Sequence, residues 1–133
     1  MINIFREYLD KDGDVVYDDE TILPSKQTIR IVFYEVEHNN RYYYDIYVVT
    51  MHKKKAIDST ILKTTGKDGV AGLLWAKNKI KEFEILIKEI HENVTICIYW
   101  DDNRRRNIYE WGLRKEGYKM GRIFDKKCLC KKI

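Results

Sequence analysis

The run Gly66-Lys67-Asp68-Gly69-Val70-Ala71-Gly72 constrains the chain more than any other stretch. It joins a strand-like segment, Ala56 to Thr65, to the longest amphipathic pattern in the sequence. From Val70 the apolar residues fall at Val70, Leu73, Leu74, Ile80, Phe83, Leu86, Ile87 and Ile90, which is one helical stripe. Gly66 and Gly69 can take backbone angles closed to other residues. Asp68 stands where a helix N-cap would accept an amide hydrogen bond. A glycine loop opening onto a helix leaves several amides unpaired at the positive end of the helix dipole. Such a loop suits a pyrophosphate or another anion.

The rest of the chain reads mostly as strands. Ile2 to Leu9 is a first strand, and the turn Asp10-Lys11-Asp12-Gly13-Asp14 leads to a returning Val15-Val16-Tyr17. Asp18-Asp19-Glu20 and Leu23-Pro24-Ser25 are expected as loop. Thr28 to Glu37 and Tyr42 to Lys53 are rich in β-branched and aromatic residues and flank the turn His38-Asn39-Asn40-Arg41, which predicts an antiparallel hairpin. Alternation puts Tyr42, Tyr44, Ile46 and Val48 on one face, with Tyr43, Asp45, Tyr47, Val49 and Met51 on the other. The helix is expected to reach about Glu92, with Asn93 closing it before the buried strand Val94 to Trp100. Arg104 to Glu116 reads as a second helix with Ile108, Trp111 and Leu113 as its apolar stripe, stopped by Gly117. Tyr118 to Phe124 and Lys127 to Lys132 form a closing pair of strands. The fold class expected is α/β (α+β): a mixed, mostly antiparallel sheet with two main helices, in one domain of 133 residues.

Two blocks resemble the GNAT superfamily of N-acetyltransferases. The first is the strand, the glycine loop Gly66 to Gly72 and the long helix. The second runs from Tyr99-Trp100-Asp101-Asp102-Asn103 through Tyr109 to Gly117-Tyr118. The resemblance implies a GNAT-like fold and an acyl-CoA-dependent N-acyltransferase using acetyl-CoA. In that family the loop follows Gln/Arg-x-x-Gly-x-Gly/Ala, and its amides bind the cofactor pyrophosphate. Carried over, the cofactor-binding residues are Gly66, Lys67, Gly69, Val70, Ala71 and Gly72. Gly66 stands where the family has Gln or Arg, so Lys67 would supply the positive charge. The family's general acid, a tyrosine that protonates the departing thiolate, corresponds to Tyr109. A Glu or Asp on the central strands usually acts as base, and Glu35, Glu37, Asp45 and Asp58 all qualify by position.

Other features bound the remaining classes. A chain that is 44% hydrophobic and 13% aromatic can fill a core, so disorder is not expected. No apolar run approaches ~18 residues, the N-terminus has no signal-like region, and three Cys make no disulfide framework. These point to a cytoplasmic protein, and the Lys- and Ile-rich composition suits a low-GC bacterium or one of its phages. The acidic run Asp12, Asp14, Asp18, Asp19 and Glu20 lacks the ligand spacing of a calcium loop, and the scattered His38, His52 and His91 lie near no Cys pair, so no metal is expected. Net charge is +4, with positives clustered at Lys53-Lys54-Lys55, Arg104-Arg105-Arg106, Lys126-Lys127 and Lys131-Lys132. These clusters and the tyrosines leave two other readings open. One is a nucleic-acid-binding module. The other is a catalytically silent GNAT-like scaffold that binds or inhibits a host protein. For the enzyme, the partner is a small-molecule or protein amine acceptor.

Overall fold

The computed structural model describes residues 5–52, 55–58, 67–99 and 110–133. Eight strands and a long helix follow in the order β1 (Arg6–Leu9), β2 (Val15–Ile22), β3 (Thr28–His38), β4 (Arg41–His52), β5 (Lys55–Asp58), α1 (Lys67–Ile90), β6 (Val94–Ile98), β7 (Lys119–Ile123) and β8 (Lys126–Lys132). A second helical segment, α2, is described over 110–113 and tightens into the 3-10 turn Arg114–Glu116 before β7. The fold is mixed α/β with a mostly antiparallel sheet, as the alternating patterns predict. Its strand order is β1-β2-β3-β4-β6-β8-β7, with β5 also paired to β4. Among the described residues, only β4 and β6 run parallel, and α1 is the crossover between them.

Turn chemistry sets the registers. Asn39 and Asn40 both have positive φ, at 51° and 62°, and so do Phe124 and Asp125, at 51° and 63°. Two-residue hairpins demand such angles, and Asn and Asp tolerate them. In the first turn Asp10 Oδ1 accepts from the amides of Asp12 and Asp14, both at 2.9 Å. Asn93, with φ 57°, turns the chain from α1 into β6. Gly117 ends α2 at φ 94°, and its amide donates to the Arg114 carbonyl, as a left-handed cap should.

The core lies between α1 and one face of the sheet. Ala76, Ile80, Phe83 and Ile87 recur at helical spacing and are all buried. Phe83 stacks on Phe33 at 3.9 Å between centroids and meets Phe5, Tyr17 and Tyr44 edge-on. The sheet contributes Ile29, Ile31, Phe33, Tyr44, Ile46, Val48, Ile96 and Leu129 to this inner face. Glu84 of α1 accepts from Tyr118 Oη at 2.9 Å and from Lys131 Nζ at 2.7 Å, tying the helix to the last hairpin. No helix is long and apolar enough to cross a membrane among the described residues.

Three expectations change. Asp18-Asp19-Glu20 is not loop: it continues β2 to Ile22, because each charge meets an opposite one, from a neighbouring strand or from α1. Asp18 is 2% exposed and accepts from Arg6 Nε at 2.6 Å and Tyr8 Oη at 2.8 Å. Asp19 meets Lys79 at 2.6 Å and Glu20 meets Arg30 at 3.0 Å. Helix α1 begins at Lys67, so Asp68 lies inside its first turn rather than capping it. Trp111 is 77% exposed, Leu74 55% and Ile90 48%, so none of the three belongs to the buried stripes that spacing suggested. Leu113 is buried as expected.

The Asp18 cluster carries a direct prediction. Arg6→Ala would leave a buried carboxylate with Tyr8 Oη as its remaining partner, and should cost about 2 kcal/mol. Arg6→Leu combined with Asp18→Val should recover most of that loss, because two apolar residues in register suit a strand pair. Urea midpoints of the single and double variants check this. Equal losses in both would mean the charge pair is not the cause.

Candidate functional site

Strand β4 shares one edge between two partners. Tyr42–Ile46 pair in parallel with Val94–Ile98, and Thr50–His52 pair with β5, with an irregularity between Thr50 and Met51. Between these ladders, no described strand is in register with Val48 and Val49 on that edge. The two parallel strands therefore part beyond Ile46 and Ile98. Crevices at the carboxyl ends of parallel strands are the usual ligand positions in open α/β sheets.

On the outer face beside this opening lies a groove of about 470 Å³, lined by Val32 and Tyr34 of β3 and Asp45, Tyr47 and Val49 of β4. Tyr34 and Tyr47 meet edge to face, with centroids 5.4 Å apart and planes at 84°. Asp45 is half-buried at the β6 side of the groove, directly across from Cys97. Among the described residues its carboxylate makes no ion pair. Burial raises the Asp45 pKa above the usual carboxylate value, and the Lys126 charge only partly opposes that. Lys126 Nζ itself lies 4.6 Å from the centroid of the Tyr99 ring.

Next to Asp45 the sheet collects three thiols. Cys97 pairs in register with Cys130, and Cys128 pairs with Gly121. Cys97 and Cys128 are fully buried and Cys130 is half-buried. Hydrogen bonding to Cys128 and burial raise the Cys97 pKa, whereas hydrogen bonding to Cys97 lowers that of Cys128. A Cβ on Gly121 would come within 2.7 Å of Cys130 Sγ, so glycine leaves room for the thiol there. Cys128 and Cys130 stand two apart in the sequence, and register adds Cys97 to them.

A second groove, of about 530 Å³, separates α1 from α2. It is lined by Leu73, Leu74 and Lys77 of α1 and by Glu110, Trp111, Gly112, Arg114 and Lys115. The helices meet at Gly112, where a Cβ would lie 3.5 Å from Leu73 Cδ1, an ordinary van der Waals contact. Lys77 and Lys81 both reach Glu116, at 3.4 and 3.1 Å, which holds that carboxylate below its usual pKa, through Lys81 first. An open indole with three cations around it can take a flat ring and phosphate groups.

The residues singled out from sequence divide sharply. Gly66, Tyr109 and the cluster Arg104-Arg105-Arg106 lie outside the described residues. Lys67, Gly69, Val70, Ala71 and Gly72 all fall within α1, the last of them buried. An α-helix leaves only its first turn of amides unpaired, so the free donors at this start centre on Lys67 to Gly69. Of the four candidate bases, Glu35 is engaged on the inner face: it accepts from Tyr44 Oη at 2.5 Å and lies 3.4 Å from His91 Nε2. His91 in turn stacks on Tyr42 at 3.7 Å. Glu37 is exposed and Asp58 lies in β5. Asp45 lines the groove beside the strand opening. The acidic run is dispersed by β2, leaving Asp10, Asp12 and Asp14 with carboxylates within 4.8 Å, of which that of Asp10 builds the turn by accepting from the backbone amides of the other two. Alternation had already put Asp45 and Tyr47 on one face, but Tyr34 joins them only through register. Comparison of the chain with family models, curated proteins and solved structures finds no match in any of the three.

Proposed function

We propose that the chain is a GNAT-like, acyl-CoA-dependent N-acyltransferase whose general base is Asp45. The observation that carries this reading is the Asp45 carboxylate, half-buried in an outer-face groove of β3 and β4, beside the place where the parallel strands part, and without an ion-pair partner among the described residues. The order of strand, glycine segment, long helix and parallel strand supports it. So does the groove between α1 and α2, where Lys77, Arg114 and Lys115 would hold phosphates and Trp111 a flat base. Acetyl-CoA supplies an activated acyl carbonyl. Asp45 receives the proton of the acceptor amine as its nitrogen forms the new C–N bond and the C–S bond breaks. The Tyr109 hydroxyl, as a phenol of the kind that stays protonated at neutral pH, would return a proton to the leaving sulfur. A carboxylate of raised pKa is better matched to proton abstraction near neutrality than an ordinary one.

Acetyl-CoA should stabilise the native state by mass action, about 2.7 kcal/mol at a hundredfold excess over Kd, which raises Tm by on the order of 8 °C. Gly69→Glu should abolish the shift by adding a carboxylate to the first turn of α1, and Trp111→Ala should reduce it. Thermal melts with and without the cofactor read this directly. A flat curve at millimolar acetyl-CoA overturns the enzyme reading in favour of the silent scaffold. The exposed Trp111 and outer-face tyrosines would then be its binding surface.

A further inference from the structure

We infer that the outer-face groove is selective for a monocationic amine with an aromatic or compact apolar body, its ammonium seated at Asp45 between Tyr34 and Tyr47. This names the acceptor class of the acyltransferase, and it rests on that reading for the transfer but not for the binding. A volume of about 470 Å³ falls in the range of small-molecule sites. The lining divides by chemistry: one carboxylate, two phenol rings and two valines. Val32 and Val49 offer walls with no polar side-chain atom, which a sugar or a highly hydroxylated amine would leave its own groups unpaired against.

The tyrosines add geometry. Their planes stand at 84° with centroids 5.4 Å apart, so a guest in the corner meets one ring's face and the other's edge. An aromatic guest prefers both contacts, and an ammonium over a ring face is attracted by its quadrupole. Charge limits the guest to one cation. Asp45 is the one anionic side chain among the lining residues, and Lys126 acts on it from β8. A polyamine's further charges would lie along the groove against Val32 and Val49, where the lining offers no second carboxylate to receive them. The burial that raises the Asp45 pKa also makes an ammonium partner worth more there than on an open surface.

The test is calorimetric titration of the full chain, without acetyl-CoA, using 2-phenylethylamine, its uncharged counterpart 2-phenylethanol, and spermidine. The expected result is saturable binding of 2-phenylethylamine, with 2-phenylethanol and spermidine at least tenfold weaker. Asp45→Asn should weaken the amine at least tenfold and leave the alcohol unchanged, while Tyr34→Ala and Tyr47→Ala should each weaken it severalfold. Equal binding of amine and alcohol by the wild type would overturn the inference whether or not any variant folds. So would unchanged amine affinity in Asp45→Asn, or no saturable binding at millimolar amine. A bound amine with no N-acetyl product beside acetyl-CoA would overturn the enzyme reading and sustain the groove. Product formed without saturable binding in the groove would do the reverse.

Discussion

Phe83→Ala should remove about 3–5 kcal/mol of stability, the range for deleting a buried aromatic side chain. Phe83 is fully buried and touches four other rings, one from each of β2, β3 and β4 and one, Phe5, from the residue before β1. Removing its ring takes away the apolar transfer term and leaves a void that Phe33, Tyr17 and Tyr44 cannot close without leaving their own strands. A domain of this size has typically about 5–15 kcal/mol in total, so the variant should be marginal at body temperature. Leu74→Ala and Ile85→Ala on the same helix, at sites 55% and 62% exposed, should each change stability by less than about 0.5 kcal/mol. Urea unfolding of the three variants measures the contrast. A Phe83→Ala loss no larger than that of Leu74→Ala would mean that α1 does not pack on the sheet through this ring.

The contrast also marks what the sequence could reveal. Ile80, Phe83 and Ile87 were legible as buried because their spacing matches the helix and no neighbour competes for the same face. The β3–β4 hairpin was legible from Asn39-Asn40, since two positive φ angles in succession leave few other uses for that pair. Gly117 was legible as a stop for the same kind of reason. The extension of β2 through Asp18-Asp19-Glu20 was not, because strand propensity counts three acids against a strand and cannot see Arg6, Lys79 and Arg30 arriving from elsewhere. Trp111 misled for a related reason: its position fits a stripe, yet the sheet lies on the Leu113 side. The choice among four candidate bases depended on which sheet face α1 covers. Alternation separates Asp45 from Tyr44 but does not say which of them meets the helix. Glu35 and Tyr44 are register partners on the covered face, and Asp45 is left with the groove. For the glycine loop and Tyr109, the resemblance remains the ground for the assignment.

In the proposed acyltransferase, Asp45→Asn should lower acyl transfer by about 10²–10⁴-fold, the usual contribution of a positioned general base. It should do so while making the protein more stable at neutral pH. The two effects have one source. In the folded chain the Asp45 pKa is raised by burial, with Lys126 of β8 pulling the other way. Tyr34, Tyr47, Cys97, Tyr99 and Cys128 are the other titratable groups around it, and none is a cation. In the unfolded chain an aspartate titrates near ~3.9. Between that value and the raised folded value, the native state binds more protons than the unfolded one, so stability falls as pH rises through this window. Above the window the penalty for the buried charge is complete. Asparagine keeps the shape and carries no charge, so the variant escapes the penalty. Its advantage should be greatest at neutral pH and should vanish near pH ~3, where both side chains are uncharged. Wild-type kcat/KM should rise with pH through the same raised value, because the base must be ionised to take the amine's proton. Urea midpoints and kcat/KM measured across pH test both halves together. Lower stability of Asp45→Asn at neutral pH would show that the carboxylate is paired rather than strained. Unchanged turnover would remove Asp45 from the chemistry, whatever the stability result, because a base cannot be replaced by an amide without loss.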